Sequence, residues 1–136
     1  MIHSIDHVGV VVKNLDEALD LYVNILGFEK SEIKTAQKGG KFRTVMVSLG
    51  KATIELIEPL DTNGGIQRFL ETKGEGIHHI SFQVKDIQKV IDAFENKGIK
   101  FLNEEPEKVD ETLIAFMHPK SVHGVLVELV QRDNLK

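Results

Sequence analysis

The chain carries its own motif twice. Laying His7 over His79 brings His7-Val8-Gly9-Val10-Val11-Val12-Lys13-Asn14-Leu15 onto His79-Ile80-Ser81-Phe82-Gln83-Val84-Lys85-Asp86-Ile87. The Val-Lys pair is identical in the two stretches, and the next two positions match in kind. Leu19, Asp20 and Tyr22 then fall over Ile91, Asp92 and Phe94, and after a one-residue gap Gly27 falls over Gly98. Near the end of each half, Ile54-Glu55-Leu56 falls over Val127-Glu128-Leu129. A repeat of this length restricts the fold sharply, because one supersecondary unit has to be built twice and stacked to bury its apolar faces.

The local signals inside each copy agree. Asp6 to Val12 is a β-branched run bounded by polar residues, which predicts a strand. Asn14 with Glu17 three residues on has capping-box spacing, and Leu15, Ala18, Leu19, Tyr22 and Ile25 follow at helical intervals up to Gly27. In the second copy Asp86 is the cap, Ile87, Val90, Ile91 and Phe94 form the apolar stripe, and Gly98 ends it. Three strand-like runs follow each helix, near Glu29 to Ile33, Phe42 to Leu49 and Thr53 to Glu58, then near Lys100 to Leu102, Leu113 to Met117 and Val125 to Val130. The unit is therefore βαβββ. The expected fold class is α+β, with two tandem modules whose curved mixed sheets enclose a metal site. A single domain over residues 1–136 is expected, with module one at about 1–60, a connector at about 61–76 containing a short helix at Ile66 to Glu71, and module two at about 77–136.

Composition narrows the partners. The 136 residues are 41% hydrophobic and 28% charged, an ordinary globular balance with room for one core. A net charge of −4, with both signs scattered along the chain, provides no basic face for a phosphate backbone, so no nucleic acid is expected. The N-terminal residues show no basic-then-apolar signal, and no apolar run approaches the roughly 20 residues that span a bilayer. A cytoplasmic protein without a membrane partner is the expectation. There is no cysteine, which suits a reducing compartment and leaves imidazole and carboxylate as the metal ligands.

Strand alternation then selects ligands. His7, Gly9 and Val11 share one face, and so do His79, Ser81 and Gln83, while Ile80, Phe82 and Val84 make the face that a helix covers. Glu55 lies opposite Ile54 and Leu56, and Glu128 opposite Val127 and Leu129. Each half thus directs one His and one Glu away from its helix. A lone His on a strand is ordinarily structural, but a carboxylate in an apolar strand is costly when unpaired, and the repeat supplies two such pairs. His7, Glu55, His79 and Glu128 are the expected ligands of one divalent first-row ion of the cobalt, zinc, nickel or manganese class. His78 points to the other face of its strand and is expected to pack or to support a ligand from behind rather than to ligate. His3, His118 and His123 have no histidine partner in the repeat and are read as structural.

The paired βαβββ modules with a His/Glu, His/Glu set resemble the vicinal oxygen chelate (glyoxalase/bleomycin resistance/dioxygenase) superfamily. Three stretches look most like methylmalonyl-CoA epimerase: Ile5-Asp6-His7-Val8-Gly9-Val10, Gly74-Glu75-Gly76-Ile77-His78-His79-Ile80, and the run from Phe116-Met117-His118-Pro119-Lys120 to Gly124-Val125-Leu126-Val127-Glu128-Leu129. The likeness covers nearly the whole chain. It implies an isomerase that interconverts methylmalonyl-CoA stereoisomers through a metal-stabilised enolate and proton transfer on two faces.

On that reading Glu128 is both ligand and base. Some epimerases place a second carboxylate where this chain has Thr44, so Glu55 becomes the expected counterpart. Glu104-Glu105-Pro106 also lacks the glycine-rich stretch that usually follows it in the family. An acyl-CoA thioester would meet exposed cations, of which Lys120 and Arg43 are the candidates, with Lys34, Lys38 and Lys41 also available. Superfamily members are often homodimers, which the resemblance implies here. The alternatives are a glyoxalase-I-like lyase with the same ligands and proton abstraction, and a non-catalytic binding protein of the bleomycin-resistance type.

Overall fold

The computed structural model describes residues 1–132. The first copy of the repeat runs β1 (Ile2–Val11), α1 (Leu15–Leu19) continued by a π-helical turn over Asp20–Ile25, β2 (Glu29–Lys30), β3 (Lys34–Gln37), β4 (Lys41–Leu49) and β5 (Ala52–Pro59). Helix α2 (Gly65–Lys73) follows. The second copy runs β6 (Gly76–Val84), α3 (Ile87–Glu95), β7 (Glu107–Val109), β8 (Thr112–Met117), a 3₁₀ turn at Pro119–Ser121, and β9 (Val127–Arg132). The fold is α+β, the class expected from the repeat.

Two compact units emerge, one of residues His7–His78 and one of Met1–Asp6 together with the described residues from His79 to Arg132. In the first unit the strand order is β2-β4-β5-β1, with β3 also pairing β4. β1 is parallel to β5, and β4 is antiparallel to β5, β2 and β3. In the second unit the order β7-β8-β9-β6 repeats this plan, with β6 parallel to β9 and β8 antiparallel to β9 and β7. A single bridge from Phe101 to Met117 stands where β2 stands in the first copy. The start of β1 is fixed within the second unit: Ser4 donates to Gln83 at 3.1 Å, and Arg132 donates two hydrogen bonds to Asp6, at 2.9 and 2.7 Å.

Helices α1 and α3, which occupy the same place in the two copies, begin with the same two contacts. Asn14 Oδ1 accepts from the Glu17 amide at 2.9 Å, and Asp86 Oδ1 accepts from the Lys89 amide at 3.3 Å. These satisfy one of the amides that every helix start leaves orphaned. The first helical amide is taken by the closing strand: Leu15 donates to Glu58 Oε2 at 3.0 Å, and Ile87 to Gln131 Oε1 at 2.9 Å. Glu58 and Gln131 each lie three residues beyond the glutamate of their own copy. Three residues along a strand reverse the side-chain direction, so these residues face the helix while Glu55 and Glu128 face away.

Each unit has its own core. In the first, Val12, Leu15, Val45, Val47 and Leu56 are buried, with Ala18, Leu19, Tyr22 and Phe28 packed against them. In the second, Ile87, Val90 and Ile91 of α3 meet Val84, Ala115, Met117, Val127 and Leu129. Burying each such aliphatic side chain contributes about 1.5–3 kcal/mol.

The structure departs from the sequence reading at several places: β1 begins at Ile2 rather than Asp6, and the run near Lys100 to Leu102 forms only the single bridge at Phe101. Strands β3 and β7 were not expected, because Lys34-Thr35-Ala36-Gln37 and Glu107-Lys108-Val109 carry no apolar alternation. The last strand begins at Val127 rather than Val125, since His123 and Gly124 take positive φ values of 62° and 88° and form a turn. The helix expected from Asn14 to Gly27 is α-helical only over its first part, and the amide of Leu26 reaches back to the carbonyl of Leu21. That π turn occupies the stretch where the alignment of the two copies needs its one-residue gap. A single inserted residue is what a π turn accommodates. Among the described residues, no helix is long and apolar enough to cross a membrane.

Candidate functional site

The candidate ligands sit on the faces of the two parallel strand pairs that turn away from the helices. In the first unit Gly9 of β1 is opposite Glu55 of β5, which places His7 two residues before the partner of the glutamate. In the second unit Ser81 of β6 is opposite Glu128 of β9, which places His79 two residues before the partner of that glutamate. The stagger between His and Glu is therefore the same in both copies.

His7 Nε2 lies 3.4 Å from Glu55 Oε1, and ligand atoms of His79 and Glu128 lie within 4.8 Å of each other. A good imidazole–carboxylate hydrogen bond is shorter than 3.4 Å. Two donors each about 2.1 Å from one ion stand roughly 3–3.5 Å apart at tetrahedral or cis-octahedral angles. The first pair has that spacing, His7, His79 and Glu128 form a group that could hold a metal ion, and imidazole and carboxylate donors suit a borderline divalent one. Burial supports the same conclusion, because His7 is 5% exposed, His79 4% and Glu128 7%. Buried histidines and carboxylates of this kind are ordinarily paired or ligating.

The surroundings of the two glutamates also match. Across each from the parallel partner stands a large apolar residue of the antiparallel strand, Met46 opposite Glu55 and Phe116 opposite Glu128. Phe116 sets its ring edge-on to His79, with centroids 6.2 Å apart, and so restrains the imidazole. Neither Met46 nor Phe116 was singled out from the sequence. Cross-strand register places them beside the glutamates, and register follows from hairpin geometry that the pattern alone does not specify. Thr44 lies two residues from Met46 on the same face of β4, opposite Ile57.

The remaining histidines and cations have other placements. His78 stacks edge-on against Phe69 of α2 at 5.0 Å, the packing role expected for it. His118 Nδ1 accepts from the Lys120 amide at 3.1 Å and caps the 3₁₀ turn. Lys120 is exposed on that turn. The guanidinium of Arg43 donates to Glu58 Oε1 at 2.7 Å, and this hydrogen bond raises its pKa above the ordinary arginine value. Arg43 is thereby tied to the residue that holds the start of α1.

Residues 6–116 match the model of the glyoxalase/bleomycin resistance protein/dioxygenase superfamily. The chain is 34% identical to the mitochondrial methylmalonyl-CoA epimerase of Dictyostelium discoideum, covering 96% of this chain and 80% of that protein. It is also 34% identical to an ethylmalonyl-CoA/methylmalonyl-CoA epimerase of Cereibacter sphaeroides, covering 96% and 99%. Among solved structures, a variant of the Streptomyces coelicolor methylmalonyl-CoA epimerase in complex with 2-nitronate-propionyl-CoA superposes with a TM-score of 0.90 at 31% identity, covering 98% of this chain and 99% of that one. The repeat, the matched half-sites and these similarities agree, and the chain belongs to the glyoxalase/bleomycin resistance/dioxygenase superfamily as an isomerase-type member related to the methylmalonyl-CoA epimerases.

Proposed function

We propose that this protein epimerises an acyl-CoA thioester of the methylmalonyl-CoA type, with His7, Glu55, His79 and Glu128 holding one divalent ion. The observation that carries this reading is the repeated stagger: each module presents one His and one Glu at the same register on the face away from its helix. Three of the four, His7, His79 and Glu128, are buried and each offers a ligand atom. When bound, the ion supplies Lewis-acid polarisation of the acyl oxygens, which acidifies the carbon between them.

The chain's own residues then move the proton. Glu128 takes the α-proton on one face of the substrate, and Glu55 exchanges a proton on the other, so that the planar enolate is reprotonated with inverted configuration. Phe116 and Met46 stand opposite the glutamates and give the substrate an apolar wall on either side. Lys120, exposed at the end of β8, is the proposed contact for the anionic part of CoA. Arg43 joins it only by giving up its bond to Glu58.

The test is exchange of the α-proton of methylmalonyl-CoA with deuterated solvent, followed by NMR on protein reconstituted separately with cobalt, zinc, nickel and manganese. Exchange with at least one ion is expected. No exchange with any of the four ends the epimerase reading. Ethylmalonyl-CoA belongs in the same assay, since the Cereibacter relative carries both substrates in its name.

A further inference from the structure

Ser81 is fully buried, and its hydroxyl has no hydrogen-bond partner in the structure. A buried hydroxyl left unpaired raises the free energy of the state that contains it, and such groups are rare enough to require a reason. Its position supplies one. Along β6 the side chains of Phe82 and Val84 enter the core beneath α3, so His79, Ser81 and Gln83 share the opposite face. Gln83 already has a partner in Ser4. Ser81 stands in register with Glu128, and Phe116 flanks that glutamate on its other side. The unpaired donor is therefore on the ligand-bearing face, beside a proposed base. Its counterpart in the first module is Gly9, in register with Glu55, which has no side chain to offer.

We propose that Ser81 is a substrate-binding residue whose hydroxyl donates to a carboxylate or thioester oxygen of the bound acyl-CoA on the Glu128 side, with no equivalent donor on the Glu55 side. This rests on the four-ligand reading above. The hydroxyl finds its partner only when a chelating oxyanion is present, so its penalty falls on the empty protein and is relieved on binding. Serine at a purely packing position would lead to the opposite outcome on substitution.

The experiment compares full-length wild type, Ser81→Ala and Ser81→Cys, using Co²⁺ as the metal and malonate as the chelating dicarboxylate. The expected result has three parts. Melting temperatures of the metal-free variants are not lower than that of wild type. Their Co²⁺ affinity by titration calorimetry stays within about twofold of wild type. Malonate binds the Co²⁺-loaded variants roughly ten- to 100-fold more weakly, the loss expected for one hydrogen bond to an anionic oxygen, and KM for methylmalonyl-CoA rises more than kcat falls. Unchanged malonate affinity in both variants overturns the assignment, as does a metal-free melting temperature several degrees below wild type in both, which marks a packing role. Loaded wild type without affinity for malonate overturns it too. A wild type that takes up no Co²⁺ removes the four-ligand reading itself, and that failure is distinct from a variant that binds malonate normally.

Discussion

At the residue scale the four proposed ligands are unequal in what they are asked to do. In the proposed mechanism His7 and His79 only donate electron pairs, whereas Glu55 and Glu128 also move protons. Glu128→Gln is expected to retain the ion, because an amide oxygen still ligates, and to lose on the order of 100-fold or more in α-proton exchange. Unchanged turnover at full metal occupancy would remove Glu128 as the base. Arg43 offers a second test at this scale. Its bond to Glu58 raises its pKa, and a raised folded pKa contributes stability that is complete below the unfolded pKa and is lost only as pH climbs through the folded one. For arginine that loss lies beyond the ordinary alkaline range. Arg43→Lys moves it into reach, so the variant should show an alkaline fall in melting temperature near pH ~10–11 that the parent lacks. Identical profiles for the two would mean that the pair contributes nothing to stability.

At the scale of elements, the device that fixes α1 and α3 to their sheets is the amide of the first helical residue held by Glu58 or Gln131. Gln131→Leu should cost about 1–3 kcal/mol, read as a shift in the denaturation midpoint, because it strands a part-buried amide. Glu58→Leu should cost more, since it strands the Arg43 guanidinium as well. The strand phase that turns His7, Glu55, His79 and Glu128 away from the helices was legible in the sequence because the repeat showed the same alternation twice. The capping carboxylate and carboxamide were not, since a polar residue three places beyond a glutamate reads equally well as surface. Strands β3 and β7 escaped for a related reason. They lie at sheet margins where neither face is fully buried, so no apolar alternation is imposed on them. The π turn escaped because apolar spacing near the helical period does not distinguish an i+4 from an i+5 hydrogen bond. Deleting Asn24, an exposed residue within that turn, should convert it to α-helix and leave the melting temperature within about 5 °C of the parent. A larger fall would show that the turn is needed to seat Tyr22 against Phe28, whose rings now meet edge-on at 5.4 Å.

For the whole molecule, the proposed ion draws one ligand pair from each copy, so its binding should report on the folding of both. Divalent ion at 100 times its dissociation constant should raise stability by about 2.7 kcal/mol, and EDTA should reverse the gain. Thermal melts with and without metal check this, and identical melts would count against a four-ligand ion. The differences in length between the copies show where such a protein tolerates change. The extra residue of the first copy is absorbed within its helix, and the second copy lengthens the turn before β9, while the paired strands that carry the proposed ligands keep their stagger. One residue added to a strand would exchange its two faces and turn an imidazole into the core, whereas one added to a helix is contained within a single turn. Descendants of a duplicated ancestor would therefore be expected to drift in their helices and hairpins while their strands stay in step, and the bulge over Asp20–Ile25 reads as a record of that history.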